Sequence, residues 1–235
     1  MSASSENRGE LVAGLAAGIG VLGLNLSEAQ QQNLMAYLDL IQKWNKVYNL
    51  TALRDPKEML THHLLDSLSA VGPLQRHLQA VLSFDEQGCA LLDVGSGGGL
   101  PGVVVAICCP KVRVTCVDAV SKKAAFVQQV AASLKLPNLK GVHARVESLS
   151  GPFDVVCSRA FASLPDFVTW SSGALADAGV WMAMKGKLPT DEMLALPSFA
   201  QVFHVEQLQV PGLAADRCMV WMKKSVTLST EASAT

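Results

Sequence analysis

The spacing of apolar side chains divides this chain once, near residue 85, into a helical stretch and a strand–helix alternation. In the first stretch Ser27-Glu28-Ala29-Gln30 has the form of a capping box, and Leu34, Met35, Leu38 and Ile41 follow on one helical face. Asp55-Pro56-Lys57-Glu58 repeats the start signal, with Asp at the N-cap and Pro in the first turn. The helix it opens carries Met59, Leu60, Leu64, Leu68 and Val71, and is expected to stop at Gly72-Pro73.

From Ala90 short apolar runs predict strands over 90–94, 112–117, 139–143, 153–158, 180–184, 203–208 and 217–222. Helices are predicted over 101–109, 122–135 and 165–176, with a short piece near 191–196. This alternation predicts an α/β fold with a mostly parallel sheet covered on both faces. Only Pro211-Gly212 and a loop join the last two strands, so they should form an antiparallel hairpin at one edge. Residues 10–85 therefore read as an N-terminal helical extension, packed as one unit with a sheet domain over 86–224. Flexible tails are expected at 1–9 and 225–235.

Half of the residues are hydrophobic and 17% charged, which predicts a sizeable core and excludes wholesale disorder. The apolar run 11–24 has 14 residues, four of them glycine, against about 20 needed to cross a bilayer. It follows Glu6, Arg8 and Glu10 without a positive excess, so it reads as a packed helix, with no membrane association. The six cysteines form no C-x-x-C pair and the five histidines no ligand spacing. Reduced core cysteines, no metal and a cytoplasmic setting are the expectation. A net charge of -1 gives no general attraction to nucleic acid, so RNA contact has to rest on local clusters. Lys43, Lys46, Arg54 and Lys57, interleaved with Trp44 and Tyr48, form one; a solvated face is its simpler reading.

The stretch richest in chemistry is Leu91-Leu92-Asp93-Val94-Gly95-Ser96-Gly97-Gly98-Gly99-Leu100-Pro101-Gly102. A strand ends at Val94, and glycines let the following backbone take positive φ and approach a ligand closely. Counted from Gly97, the loop fits a dinucleotide fingerprint. Counted from Gly95, where the strand ends, it fits Asp-x-Gly-x-Gly-x-Gly, the form that methyltransferases use. The Asp93 carboxylate favours the second form, because it suits a methionine ammonium and repels a pyrophosphate. Asp118, ending the second strand, is placed to accept ribose hydroxyls, or is a solvated acid. Val146-Glu147 after the third strand falls where an adenine would lie, or is a surface turn. Arg159 after the fourth strand faces the same crevice, or pairs with Glu147 or Asp93.

Together these pieces resemble the glucose-inhibited division protein B family (RsmG), methyltransferases of bacterial small-subunit ribosomal RNA. The resemblance runs from about Gly20 to Lys223. It is carried by Lys43-Trp44-Asn45-Lys46-Val47-Tyr48-Asn49-Leu50-Thr51, Arg54-Asp55-Pro56, His63-Leu64-Leu65-Asp66-Ser67, the glycine loop, Ser158-Arg159-Ala160-Phe161-Ala162-Ser163-Leu164 and Met184-Lys185-Gly186. It implies a class I, Rossmann-like methyltransferase sheet and S-adenosyl-L-methionine as cofactor. It also implies transfer to N7 of a guanine in 16S ribosomal RNA. The implied cofactor contacts are Gly95, Leu100, Val146, Glu147 and Arg159; Gly97, Gly99 and Asp118 join them on the physical argument above. Arg159, Lys185 and His63 are candidates for catalysis, and Asp66 and Ser67 are signature positions beside them. The implied partner is small-subunit ribosomal RNA or the subunit, with the enzyme a monomer. Gly98 stands where the family frequently has proline.

Overall fold

The computed structural model describes residues 3–81 and 88–225. Five helices come first: α1 (Ala3–Val21), α2 (Glu28–Tyr48), α3 (Pro56–Met59), α4 (Asp66–Leu68) and α5 (Val71–Val81), with a π-helical segment, Leu60–Leu65, joining α3 to α4. Both start signals operate. The Ser27 Oγ accepts from the Gln30 N–H while Gln30 Oε1 accepts from the Ser27 N–H, and Asp55 Oδ1 accepts from the N–H groups of Lys57 and Glu58.

The sheet follows as β1 (Ala90–Val94), α6 (Gly102–Cys108), β2 (Arg113–Asp118), α7 (Ser121–Ser133), β3 (Leu139–His143), β4 (Phe153–Arg159), α8 (Leu164–Ser171), β5 (Leu175–Lys185), α9 (Thr190–Leu194), β6 (Ala200–Gln207) and β7 (Cys218–Lys224). The strand order is β3-β2-β1-β4-β5-β7-β6. β1 through β5 pair in parallel, and β7 is antiparallel to both β5 and β6. The expected edge hairpin is therefore present, with its second strand on the inside. The winding reverses between β1 and β4, which opens a crevice beyond their carboxyl ends.

Successive residues of β1 feed opposite faces of the sheet. Leu91 joins a core that also holds Leu15, Leu38, Leu68, Val103 and Phe126, so the N-terminal helices and the sheet share one body of buried side chains. Leu92 joins Val156, Phe167 and Trp181 on the other face. Burial on both faces explains why β1 reads as an apolar run rather than an alternation.

Several expectations need correction. The chain is helical from Ala3, inside the stretch 1–9 expected to be a flexible tail, and Arg8 binds Asp39 through contacts of 2.9 and 2.6 Å. Gly72-Pro73 opens a helix instead of ending one. Proline is tolerated in a first turn because its missing N–H has no intrahelical partner there. The helix predicted to reach residue 176 ends at Ser171, and β5 starts at Leu175, where it pairs with Phe153 across a register shift. β6 starts at Ala200, three residues early, because this half-exposed edge strand carries too little apolar alternation to mark its start. Beyond Ser225, whose N–H donates to the Phe199 carbonyl at 2.8 Å, the expected C-terminal tail lies outside the described residues.

Candidate active site

The glycine loop turns away from β1 with Gly95, Gly97 and Gly99 at φ +64, +59 and +87°. A Cβ on Gly95 would enter the Phe161 ring, and one on Gly99 would enter the Val103 side chain. At Gly97 the nearest atom is 4.0 Å from a built Cβ, and at Gly98 nothing lies within 4 Å. The loop is thus packed from behind at its ends and open in its middle. Three groups hold it: Tyr37 Oη donates to the Gly98 carbonyl at 2.5 Å, Asp118 Oδ2 accepts from the Gly97 N–H at 2.9 Å, and Asp93 Oδ2 accepts from the Gly102 N–H at 2.8 Å.

Three cavities run along the crevice. The first, about 280 Å³, is walled by Gly95, Asp118, Val146, Glu147, Phe161 and Trp170. The second, about 170 Å³, lies over the loop between Gly95, Ser96, Gly97, Gly98 and Leu100 on one side and Thr51, His63 and Arg159 on the other. The third, about 370 Å³, gathers His62, His63, Asp66, Arg159, Lys185 and Arg217. Gly95 is shared by the first two and Arg159 by the last two, so the cavities adjoin.

Asp66 is the anchor of the third cavity. It is almost fully buried, and its carboxylate receives Arg159 Nη1 on Oδ2 at 2.7 Å and Arg217 Nε on Oδ1 at 2.9 Å. Arg159 Nη1 also donates to the His62 carbonyl at 2.8 Å. The pairing of Arg159 with Glu147 or Asp93 is thereby replaced by one with Asp66. After Arg159 the backbone places Ala160 and Ala162 at φ 55 and 50°, a region uncommon for residues with a Cβ. Lys185 Nζ steadies that turn through the Ala162 carbonyl at 3.1 Å and Glu192 Oε2 at 2.8 Å.

Ionisation in the site follows burial. His63 is held by Thr51 Oγ1 at 2.8 Å from its Nε2, and its Nδ1 is buried with no hydrogen bond among the described residues. Burial, then the Arg159 guanidinium, lowers its pKa to about 4, so the imidazole is neutral at neutral pH. The π-helical turn that carries it is a form frequent at functional positions. Burial raises Asp93 to about 7 against the Gly102 N–H, which favours its charge. Asp93 is fully enclosed and lines none of the three cavities; it braces the start of α6 rather than facing a ligand's ammonium.

Of the sequence-predicted cofactor residues, Gly95, Gly97, Leu100, Asp118, Val146, Glu147 and Arg159 line the first or second cavity. Gly99 does not; it packs beneath the loop against Val103 and Val127. The chain fits an adenosyl-methionine group on its own features. The open middle of the loop is a cradle that any Cβ-bearing turn would narrow, and the Ser96 Oγ is buried with no hydrogen-bond partner among the described residues. Asp118 keeps unused lone pairs beside an aromatic and apolar pocket. Among the described residues no group of three or more metal-ligating side chains converges, and no helix is long and apolar enough to cross a membrane.

Residues 30–220 match the family model described as rRNA small subunit methyltransferase G, GidB. The chain belongs to this family. It is 65% identical over 218 residues to a ribosomal RNA small subunit methyltransferase G from Paracidovorax citrulli, covering 91% of this chain and 90% of that one. To the protein of that name from Polaromonas sp. it is 66% identical over 209 residues, covering 89% and 92%. In fold it is similar to solved methyltransferases of low identity. Coclaurine N-methyltransferase gives a TM-score of 0.55 at 10% identity, covering 94% of this chain and 95% of that one. TrmN from Thermus thermophilus gives 0.53 at 16%, covering 71% and 53%. The class I methyltransferase fold is thereby established for this GidB-family chain.

Sequence reasoning assigned no role to four residues of the site. Tyr37 lay within an apolar helical stripe, and only the approach of the loop gives its hydroxyl a purpose. Trp170 and Phe161 meet edge to face at 5.9 Å in the wall of the first cavity. Arg217 reaches Asp66 across 151 positions, a proximity that only strand order creates. The basic cluster shrinks in turn. Lys57 pairs with Glu10 at 2.7 Å, and Arg54 donates to the Asn45 carbonyl and Asn49 Oδ1. Trp44 lies half-buried at 5.3 Å from Phe126, while Lys43, Lys46 and Tyr48 remain exposed.

Proposed function

We propose that this GidB-family enzyme transfers the methyl group of S-adenosyl-L-methionine to N7 of a guanine in 16S ribosomal RNA. The observation that carries the reading is the shared wall: Gly95 joins the first cavity to the second, and Arg159 joins the second to the third. In this arrangement Asp118, Val146 and Glu147, with Phe161 and Trp170, hold the adenosine end. Gly95, Gly97 and Leu100 lie along the amino-acid end, and Arg159 faces both cofactor and target. When bound, the cofactor supplies a methyl group on a sulfonium, an electrophile ready for a lone pair.

Guanine N7 carries no proton, so its attack needs no base. His63, neutral with a pKa near 4, is suited to positioning rather than proton removal. Arg159 and Arg217, fixed by Asp66, present cations to an electron-rich base edge or its phosphate. Lys185 and Glu192 hold the turn after β4 so that Arg159 keeps its direction. What remains for the protein is to align N7 with the methyl and to exclude water. Residues 10–85 act here as an extension that closes the crevice through Thr51, His63 and Asp66, and residues 86–224 as the methyl-transfer unit.

The test is transfer of labelled methyl from S-adenosyl-L-methionine to small ribosomal subunits and to their protein-free RNA, followed by nucleoside analysis. Label in 7-methylguanosine is the expected result; label in any other nucleoside overturns the assignment of N7.

A further inference from the structure

Beside the third cavity lies a larger and more open one, about 850 Å³, beneath the loop between β6 and β7. The two share Arg217. Its guanidinium is fixed at the boundary: Nε donates to Asp66 Oδ1 at 2.9 Å and Nη1 to the Asp216 carbonyl at 2.8 Å, while Nη2 has no hydrogen bond among the described residues. Lys187, exposed two positions beyond Lys185, adds a second cation to the wall and makes no ion pair among the described residues. Gln209 is exposed in the same wall with its side-chain amide unengaged among the described residues, and Val210 and Leu213 give it an apolar part.

Lys187 and Arg217, which share the wall with the Asp216 carboxylate, together with the Gln209 amide and an apolar surface, match the three parts of an unpaired nucleotide in one concave site. Phosphate is neutralised by the cations, the base lies on the apolar wall, and its edge meets the amide. A duplex presents a convex rod that does not enter such a hollow. We infer that this cavity holds a nucleotide next to the target guanine in the same single-stranded RNA segment, with Arg217 spanning the two subsites. The inference rests on the function proposed above, since it requires the target in the third cavity.

Lys187→Ala, Gln209→Ala and the double variant test it, because both side chains are exposed and neither makes a hydrogen bond among the described residues. Affinity is measured for protein-free small-subunit RNA and for assembled subunits, with cofactor affinity and kcat in parallel. The double variant should bind protein-free RNA about tenfold more weakly, with cofactor affinity and kcat unchanged. Lys187→Ala should lower the magnitude of the log–log salt slope by about 0.7, the value for one phosphate on a single strand, and Lys187→Arg should restore it. Unchanged affinity and slope overturn the subsite. A loss confined to assembled subunits also overturns it, and assigns the cavity to a ribosomal protein. If the unaltered enzyme transfers no methyl to ribosomal RNA in any form, the functional reading fails with it, an outcome separate from the other two.

Discussion

The Tyr37 hydroxyl donates a 2.5 Å hydrogen bond to the Gly98 carbonyl, so α2 supports the glycine loop from outside the sheet. Tyr37 is fully buried, and its phenol has no water to turn to if the loop moves. Replacing it with phenylalanine removes the donor and keeps the packing. Stability should fall by about 0.5–1.5 kcal/mol, read by denaturant titration, and cofactor affinity should weaken with it in calorimetry. Unchanged values for both would mean that the loop holds its shape without α2.

Gly95 and Gly98 should respond in opposite ways to alanine. At Gly95 the new Cβ enters the Phe161 ring at a backbone angle of +64°, so the first two cavities lose their common wall. The conformation alone is unfavourable by roughly 1–2 kcal/mol for a residue with a Cβ. Gly95→Ala should abolish measurable cofactor binding. Gly98→Ala meets nothing within 4 Å and should change stability by less than about 0.5 kcal/mol. Equal calorimetric titrations for the two variants would contradict the packing described here.

Asp118 has two duties that alanine cannot separate. Its oxygens accept the N–H groups of Gly97 and Val120, Oδ2 pairs with Lys123 Nζ at 3.9 Å, and the side chain lines the first cavity. Asp118→Ala should weaken cofactor binding by about 1.5–3 kcal/mol, the range for hydrogen bonds to a charged group. Asp118→Asn keeps one oxygen for a backbone N–H, so it should lose less stability than alanine while still losing affinity. If both variants bind the cofactor as tightly as the unaltered protein, Asp118 serves only the loop.

Two buried groups should set opposed slopes of stability against pH. His63 has its pKa lowered from 6.5 to about 4, so the unfolded chain takes up the proton first. Its contribution is lost as pH falls from about 6.5 to about 4. Asp93 has its pKa raised from 3.8 to about 7, so the folded chain holds the proton longer, and its contribution is lost as pH rises through that window. Each slope is bounded by about 1.4 kcal/mol per pH unit. Denaturant titrations between pH 4 and 6.5 should show stability rising more steeply with pH in Asp93→Asn than in the unaltered protein. In His63→Gln the slope should be shifted in the negative direction. Parallel curves for all three would remove both assignments.

The sequence makes the sheet interior legible because burial on two faces leaves apolar runs, and β1 falls on its predicted limits; β3 does so too, although this edge strand alternates buried and exposed positions. The crevice is legible for a related reason, since the loop after β1 and the arginine that ends β4 sit at fixed ends of adjacent strands. What the sequence hides is long-range pairing. Asp66 shows as a polar residue in an apolar helix, but nothing local says that Arg159 and Arg217 converge on it. Asp93 misleads for the complementary reason. A carboxylate beside a glycine loop suggests a ligand, and only its complete burial shows that it serves the Gly102 N–H instead.

β7 lies between β5 and β6, although it is the last of the three to appear in the chain. On the ribosome, β6 therefore emerges with no neighbour to receive it and waits for the strand that follows. Arg217, which directly precedes that strand, reaches Asp66 only as it docks. A nascent chain stopped before this point would lack two strands of sheet and one of the arginines on Asp66. Assembly of the third cavity is thus tied to synthesis of β7.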